Sequence, residues 1–251
     1  MHRISGPSGR LAVDDGGSGS LPVVFLHSFG GAADQWKPQL DHLRKSRRAV
    51  AFDMRGHGKS ETPADNDYSI EAFANDVGVV VNALDIKRFA LVGHSLGGNA
   101  AIAYAANHGD RVAGLVVEGT SGKMDEAQAK PMMATLDADF DKTMDQIWTR
   151  LLKDATQKTR DLVMKERALM SDDAAKAMIK ANFSYDPVAA ISKYAGSKLS
   201  IKTAMDDVPF ALDKQVSGLP VKSIAGTSHW IHLDKPDEFN AILDEFLATL
   251  T

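Results

Sequence analysis

The sequence predicts an α/β fold, a mostly parallel central sheet flanked by helices, with a helical segment inserted late in the chain. Three observations carry that expectation. Short apolar, β-branched runs each end in a polar or glycine-rich turn, which is the pattern of strands buried on both faces. Amphipathic helical patterns separate these runs, pointing to right-handed βαβ units. Finally, the alternation stops after Gly122 and resumes only near residue 195.

The strand-like runs of the first half are Pro22–His27, Arg48–Asp53, Arg88–His94 and Val112–Glu118. Before them the chain is polar and rich in glycine, and no strand is predicted there. Ser69 is placed as N-cap of a helix over Ile70–Leu84, where Ile70, Phe73, Val77, Val80, Val81 and Leu84 share a face. Leu96–Asn107 is small and alanine-rich, so a helix there can lie very close to a sheet, with Gly109 as its stop. Between Met124 and Tyr194 the signals are helical only. Phe140, Met144, Ile147, Trp148, Leu151 and Leu152 mark one amphipathic helix, and Ser171 with Asp172 and Asp173 marks the start of another. Seven of the ten methionines (124, 132, 133, 144, 164, 170 and 178) fall in this stretch. Methionine packs adaptably, so they suit either a lid over an apolar pocket or a helical core, and core filling is the preferred reading for most. Strand-like runs return at Lys198–Lys202 and Pro220–Ala225, and a final helix starts at Pro236. The expected division is therefore a core of 1–121 and 195–251 with a helical cap of 122–194.

Composition narrows the function classes. The chain has 251 residues, 44% hydrophobic and 25% charged, with 29 basic against 33 acidic residues and a net charge of −4. Nucleic acid as a partner would need a basic surface, so it is not expected. Cysteine is absent, which removes disulfides, thiolate metal sites and a thiol nucleophile. No apolar run approaches the ~18 residues of a membrane span, and no signal-peptide pattern opens the chain. The expectation is a soluble cytoplasmic protein without a membrane partner.

Gly93-His94-Ser95-Leu96-Gly97 fits G-x-S-x-G between a predicted strand and a predicted helix. In that context the glycines permit a sharp turn that lifts the serine hydroxyl clear of the sheet, beside a helix N-terminus that favours negative charge. A serine hydroxyl needs a base. His229, in Gly226-Thr-Ser-His-Trp just after the last predicted strand, is the first candidate, and His232 is its rival. His94 is expected to pack beneath the turn, His57 to sit in a turn, and His2, His42 and His108 to lie on the surface. The base in turn needs a carboxylate to fix its tautomer. Asp206 is the first choice, because it follows a strand at the same rim; Asp207 and Glu118 are the alternatives. A metal site on His229 and His232 lacks a third ligand at a recognisable spacing, so no metal or other cofactor is expected.

With these residues in place, the sequence resembles the α/β-hydrolase fold family over its first 120 residues and again over about 195–251. His27-Ser-Phe-Gly-Gly is similar to the family's H-G-x-G segment, with Ser28 where the first glycine stands. That resemblance implies an oxyanion hole made by the backbone N–H groups of Phe29 and Leu96. Asp53-Met-Arg-Gly-His-Gly-Lys-Ser resembles the D-x-R-G-x-G-x-S turn, taken as structural; a phosphate loop would need glycine at Asp53. The usual G-x-x-D before the acid reads Thr203-Ala-Met-Asp206, and some haloalkane dehalogenases take their acid from the position matching Glu118. Dehalogenases and epoxide hydrolases of the family use an aspartate nucleophile, and serine at position 95 disfavours both. The resemblance implies a serine hydrolase acting on small or medium carboxylic esters through an acyl-enzyme, with an ester or lactone as its small-molecule partner. The alternatives are an enol-lactone or C–C bond hydrolase of aromatic catabolism, and a ligand receptor that keeps the triad without turnover.

Overall fold

Eight strands build one sheet in the computed structural model, which describes residues 1–250; Thr251, the last position assigned to the core, lies outside the described residues. The strands are β1 (His2–Gly6), β2 (Gly9–Gly16), β3 (Ser20–Leu26), β4 (Arg47–Phe52), β5 (Phe89–His94), β6 (Val112–Glu118), β7 (Ser197–Lys202) and β8 (Val221–Ser223). Their spatial order is β1-β2-β4-β3-β5-β6-β7-β8. β2 runs antiparallel to β1 and β4, and the remaining pairs are parallel. Every residue of β5 and β6 is buried, as expected of strands covered on both faces. Side chains alternate between the faces: Val23, Phe25, Ala49, Ala51 and Val92 enter one hydrophobic cluster, while Val24, Leu26, Val50, Phe52 and Leu91 enter the other.

Helices α1 (Lys37–Leu43), α2 (Ile70–Ala83) and α3 (Leu96–Asn107) follow β3, β4 and β5 in chain order. The Ser69 hydroxyl caps α2 by accepting from the Ala72 N–H at 3.2 Å. Phe73, Val77, Val80 and Val81 of α2 and Ile102 of α3 fill one face of the sheet, while Leu40 and Leu43 of α1 fill the other. α3 ends at Asn107 with His108 as its cap residue and Gly109 directly after it, where the stop was expected, though Gly109 does not adopt the left-handed conformation.

The β1–β2 hairpin was not foreseen. In β1 only Ile4 is buried, and in β2 Leu11 and Val13 join the main core while Ala12 is buried on the opposite face. An antiparallel edge pair needs only one apolar face, and the surrounding glycines dilute that weak alternation further.

The turn after β4 is structural, as its motif implied. Asp53 accepts from the N–H groups of Ala33 and Lys59, both at 2.7 Å. Arg55 grips Asp76 of α2 through two hydrogen bonds of 2.7 Å, with both side chains about 5% exposed or less. Removing one member of such a pair strands a buried charge, which costs about 3–5 kcal/mol. Arg55→Ala is therefore expected to lower the unfolding free energy by that amount, and a denaturant titration checks it.

Between β6 and β7 the chain forms α4 (Glu126–Ala138), α5 (Phe140–Leu151), α6 (Gln157–Arg167), α7 (Asp172–Ser184) and α8 (Pro187–Ile191). Side chains of Asp125, Asp139, Thr156, Ser171 and Asp186 cap them in turn, which explains the short, sharply bounded helices. Leu136, Met144, Trp148, Leu152, Val163 and Ile179 gather into a third cluster, joined by Trp230 from the body and flanked by Phe29. Met144 fills this cluster and Met178 the main core, in keeping with the filling role. After β7 come α9 (Leu212–Gln215), α10 (Ile231–Asp234) and α11 (Pro236–Ala248). Among the described residues no helix is long and apolar enough to cross a membrane.

Candidate active site

Ser95 sits at the turn from β5 into α3 with φ 54° and ψ −113°, a strained conformation for a residue with a side chain. The surroundings enforce it. Its N–H donates to the Glu118 carbonyl at 2.9 Å, and its own carbonyl accepts from the Asn99 N–H at 3.1 Å. Helix and sheet approach closely here because Gly97 has no side chain: a Cβ there would lie 2.4 Å from the His27 carbonyl oxygen. Ser95 is the N-cap of α3 yet makes no side-chain cap bond, and it is partly exposed. Its hydroxyl thus stands at the positive end of the helix with that role unfilled.

His229 follows β8 and meets this rim. Its ring packs on His94 with centroids 4.7 Å apart. It also lies over Gly119, whose φ is +55° and where a Cβ would stand 2.7 Å from the ring. The His229 Nδ1 and Asp206 Oδ1 atoms are 3.3 Å apart, leaving Nε2 as the free ring nitrogen. Asp206 ends a short turn, Ala204–Asp206, in which its Oδ2 accepts from the Thr203 N–H at 3.0 Å. Thr203 has φ −112°, so the glycine of the G-x-x-D pattern has no conformational task here, and the Thr203 hydroxyl donates instead to the Thr227 carbonyl at 3.4 Å. Asp207 points away, exposed and paired with Lys214 at 2.9 Å and Lys202 at 3.6 Å.

Glu118 corrects the expectation that it reaches His229. It is fully buried and accepts from the ring of His232 at 2.9 Å and from the His232 N–H at 3.1 Å. His232, the rival base, is enclosed in turn by Trp36, stacked on it at 4.0 Å. The rim therefore carries two histidine–carboxylate pairs, of which only His229–Asp206 has any exposure. His94 lies between them, 5.2 Å from the His232 ring, and burial holds it well below the usual histidine range. His57 is buried rather than displayed on its turn, packed against His27 at 4.8 Å. Burial lowers His27 to about 4 and His57 to about 3, so both are neutral.

The residue types of a metal site do converge, but not on His229. The donor atoms of His94, Glu118 and His232 lie within 4.8 Å of one another. A zinc ion holds its ligands at about 2.0–2.2 Å, so this trio would have to contract, and Glu118 would have to release His232.

The loop after β3 supplies the second half of the site. His27 Nδ1 donates to the Ser28 carbonyl at 2.8 Å, and its Nε2 accepts from the Met54 N–H at 2.9 Å. The Ser28 hydroxyl faces Gln35 Oε1 at 3.4 Å. The Phe29 ring stacks on Trp148 at 5.9 Å, and Trp148 stacks on Trp230 at 5.8 Å, giving an aromatic wall beside His229. Helices α5 and α6 are also tied to the body by hydrogen bonds. The His229 N–H donates to the Leu151 carbonyl at 3.1 Å, the Thr156 N–H to Asp234 at 3.0 Å, and Gln35 Nε2 to Glu166 at 2.8 Å. Sequence reasoning missed Gln35, Glu166 and the tryptophan pair. One signal was present for Glu166: it shares the inward face of α6 with Thr159 and Val163, an acid at an apolar spacing.

Comparison with known proteins places the fold. The alpha/beta hydrolase fold family matches residues 22–201. A 116-residue stretch is 38% identical to the 2-hydroxymuconate semialdehyde hydrolase of Pseudomonas sp. strain CF600, covering 45% of this chain and 41% of that protein. Across four such curated relatives the matched stretch spans 35–41% of their length. The solved structure of Est816, described as an N-acyl homoserine lactone degrading enzyme, gives a TM-score of 0.83 at 23% identity, covering 98% of this chain and 100% of that one. The enol-lactonase of Burkholderia xenovorans LB400 gives 0.81 at 20% identity, with 98% and 100% covered. At such identities the structures speak for the fold, and together with the family match they lead to one conclusion: the chain belongs to the alpha/beta hydrolase fold family.

Proposed function

We propose that the chain is a serine hydrolase that cleaves small or medium carboxylic esters. The observation that carries this reading is Ser95 held at φ 54° on the N-terminus of α3, with the His229–Asp206 pair on the same rim. In the proposed reaction His229 Nε2 takes the Ser95 proton as Oγ attacks the ester carbonyl carbon. The N–H groups of Phe29 and Leu96 hold the resulting oxyanion, and such donors are worth about 2.7–4 kcal/mol each in other acyl transfers. The imidazolium then protonates the departing alcohol, leaving an acyl group on Ser95. A water molecule, deprotonated by His229, attacks that ester, and the acid leaves as Ser95 recovers its proton. Asp206 keeps the Nδ1–H tautomer and stabilises the imidazolium. The wall of Phe29, Trp148 and Trp230 suits an alkyl or aryl acyl group.

A lactone is an internal ester and passes through the same steps, and the likeness to lactone-cleaving enzymes keeps it as the second substrate class. A panel of nitrophenyl esters of rising acyl length, run beside acyl homoserine and enol lactones, tests both. We expect steady multiple turnovers on at least one ester and loss of activity after treatment with a phosphonate that labels Ser95. Turnover stopping near one event per chain, with a ligand-dependent rise in thermal stability, would replace the enzyme reading with a receptor.

A further inference from the structure

We propose that Glu166, from the inserted helices, is a positioning residue: through Gln35 it fixes the Ser28–Gly31 turn, and so ties the Phe29 amide to the docking of α6. This inference builds on the serine-hydrolase reading for its kinetic consequence. The contacts form a continuous chain. Glu166 is 8% exposed and its Oε2 accepts from Gln35 Nε2 at 2.8 Å. Gln35 is fully buried, and its Oε1 faces the Ser28 hydroxyl at 3.4 Å. The same amide is wedged against Gly31, where a Cβ would lie 2.7 Å from it. The Gly31 N–H donates to the Ser28 carbonyl at 3.1 Å, closing the turn that contains Phe29. Gln35 therefore touches both ends of the turn, and Glu166 is what holds Gln35. Above the turn, Trp148 covers the Phe29 ring, and the Arg167 guanidinium lies 5.3 Å over Trp148.

The protonation of Glu166 gives this clasp a signature. Burial pushes its carboxyl up to about 8, and the charges of Asp34 and Asp53 act in the same direction. The hydrogen bonds from Gln35 and the Ala32 backbone oppose that shift without overcoming it. Arg167, the neighbouring cation, is committed to Trp148 and to Asp145 at 3.3 Å. In the unfolded chain an ordinary glutamate ionises near pH ~4.3. The folded state thus keeps a proton that the unfolded chain has lost, and the stability tied to it falls as pH rises from there to about 8. Above that value a buried carboxylate stands beside Asp34 and Asp53: its bond from Gln35 strengthens, but the cost of keeping that charge buried outweighs the gain and weakens the docking of α6 on the turn.

The test compares wild type, Glu166→Gln and Glu166→Ala from pH 6 to 10 by kcat, KM and tryptophan fluorescence, since Trp36 and Trp148 adjoin the clasp. We expect wild-type kcat/KM and fluorescence to share an alkaline limb near pH 8 that Glu166→Gln abolishes in both. Glu166→Ala should lower kcat about tenfold at pH 7 with KM little changed, because a displaced amide weakens the transition state more than binding. Glu166→Gln should restore most of that loss, because its amide still accepts from Gln35. A limb that persists in Glu166→Gln, or a Glu166→Ala variant that loses thermal stability but keeps kcat, overturns the proposal. If wild type hydrolyses no ester or lactone, the serine-hydrolase reading fails. The fluorescence limb then decides the clasp alone, supporting it if Glu166→Gln removes the limb and overturning it otherwise.

Discussion

Ser95→Ala is expected to lower ester turnover by roughly 10⁴–10⁶-fold while the protein stays folded. In the proposed mechanism, removing Oγ removes the atom that forms the acyl-enzyme, which leaves only the residual effect of binding and the Phe29 and Leu96 amides. The fold should tolerate the change because the Ser95 hydroxyl makes no cap bond and is partly exposed. The backbone strain at φ 54° is shared by alanine and serine, so the substitution adds little of it. We expect a stability change of about 0.5 kcal/mol or less. The measurement is kcat/KM on the best ester of the panel beside a thermal melt. A purified variant that melts like wild type and still turns over at a comparable rate would remove Ser95 from the mechanism.

Asp206→Asn is expected to cost about 10⁴-fold in kcat, because an asparagine N–H facing Nδ1 favours the wrong imidazole tautomer. The two alternative carboxylates should behave differently, each for a reason visible in its contacts. Asp207→Asn breaks exposed pairs with Lys202 and Lys214, which are worth at most about 1 kcal/mol and lie off the reaction path. Glu118→Gln touches a fully buried carboxylate that holds His232, so its cost should fall on stability, about 1–3 kcal/mol, with most of the rate kept. Rates and melts of the three variants, measured together, separate the roles. A large rate loss in Glu118→Gln, with Asp206→Asn close to wild type, would transfer the acid to the end of β6.

Much of this arrangement was legible because it is local. G-x-S-x-G reports a backbone turn, and a turn is specified by adjacent residues. The strands β3 to β6 were legible because burial on both faces leaves nearly unbroken apolar runs, and β7 because Leu199 and Ile201 alternate with polar residues. The β1–β2 hairpin was not, since β1 carries a single buried residue and the short apolar run of β2 stands between glycines and aspartates, so its pattern merges with that of a loop. The pairing of acids with histidines lay further out of reach. Both Glu118 and Asp206 end or follow strands at one rim, and a sequence cannot tell which ring each will meet. The fold settles it: in the sheet Glu118 stands between His94 of β5 and Ile201 of β7, and its carboxylate accepts from His232. The substitution of threonine for glycine at 203 weakened Asp206 as a candidate only on the assumption of an unusual φ, which the chain does not adopt.

The fastening of α5 and α6 has a consequence for how such proteins diversify. These helices meet the body at Leu151, Thr156, Trp148 and Glu166, and their partners are His229, Asp234, Trp230 and Gln35. A chimera that imported these helices from a relative would bring half of each contact and leave the other half behind. The transplanted segment could fold and the graft would still misplace two loops of the recipient. α4 is more lightly attached: it fully buries only Leu136, with Met132 and Met133 half-buried against the same cluster. Exchange and sequence drift are therefore cheap at α4 and coupled to the body at α5 and α6, so a library that recombines insertions should place its crossovers before residue 140 or carry positions 35, 230 and 234 with the graft.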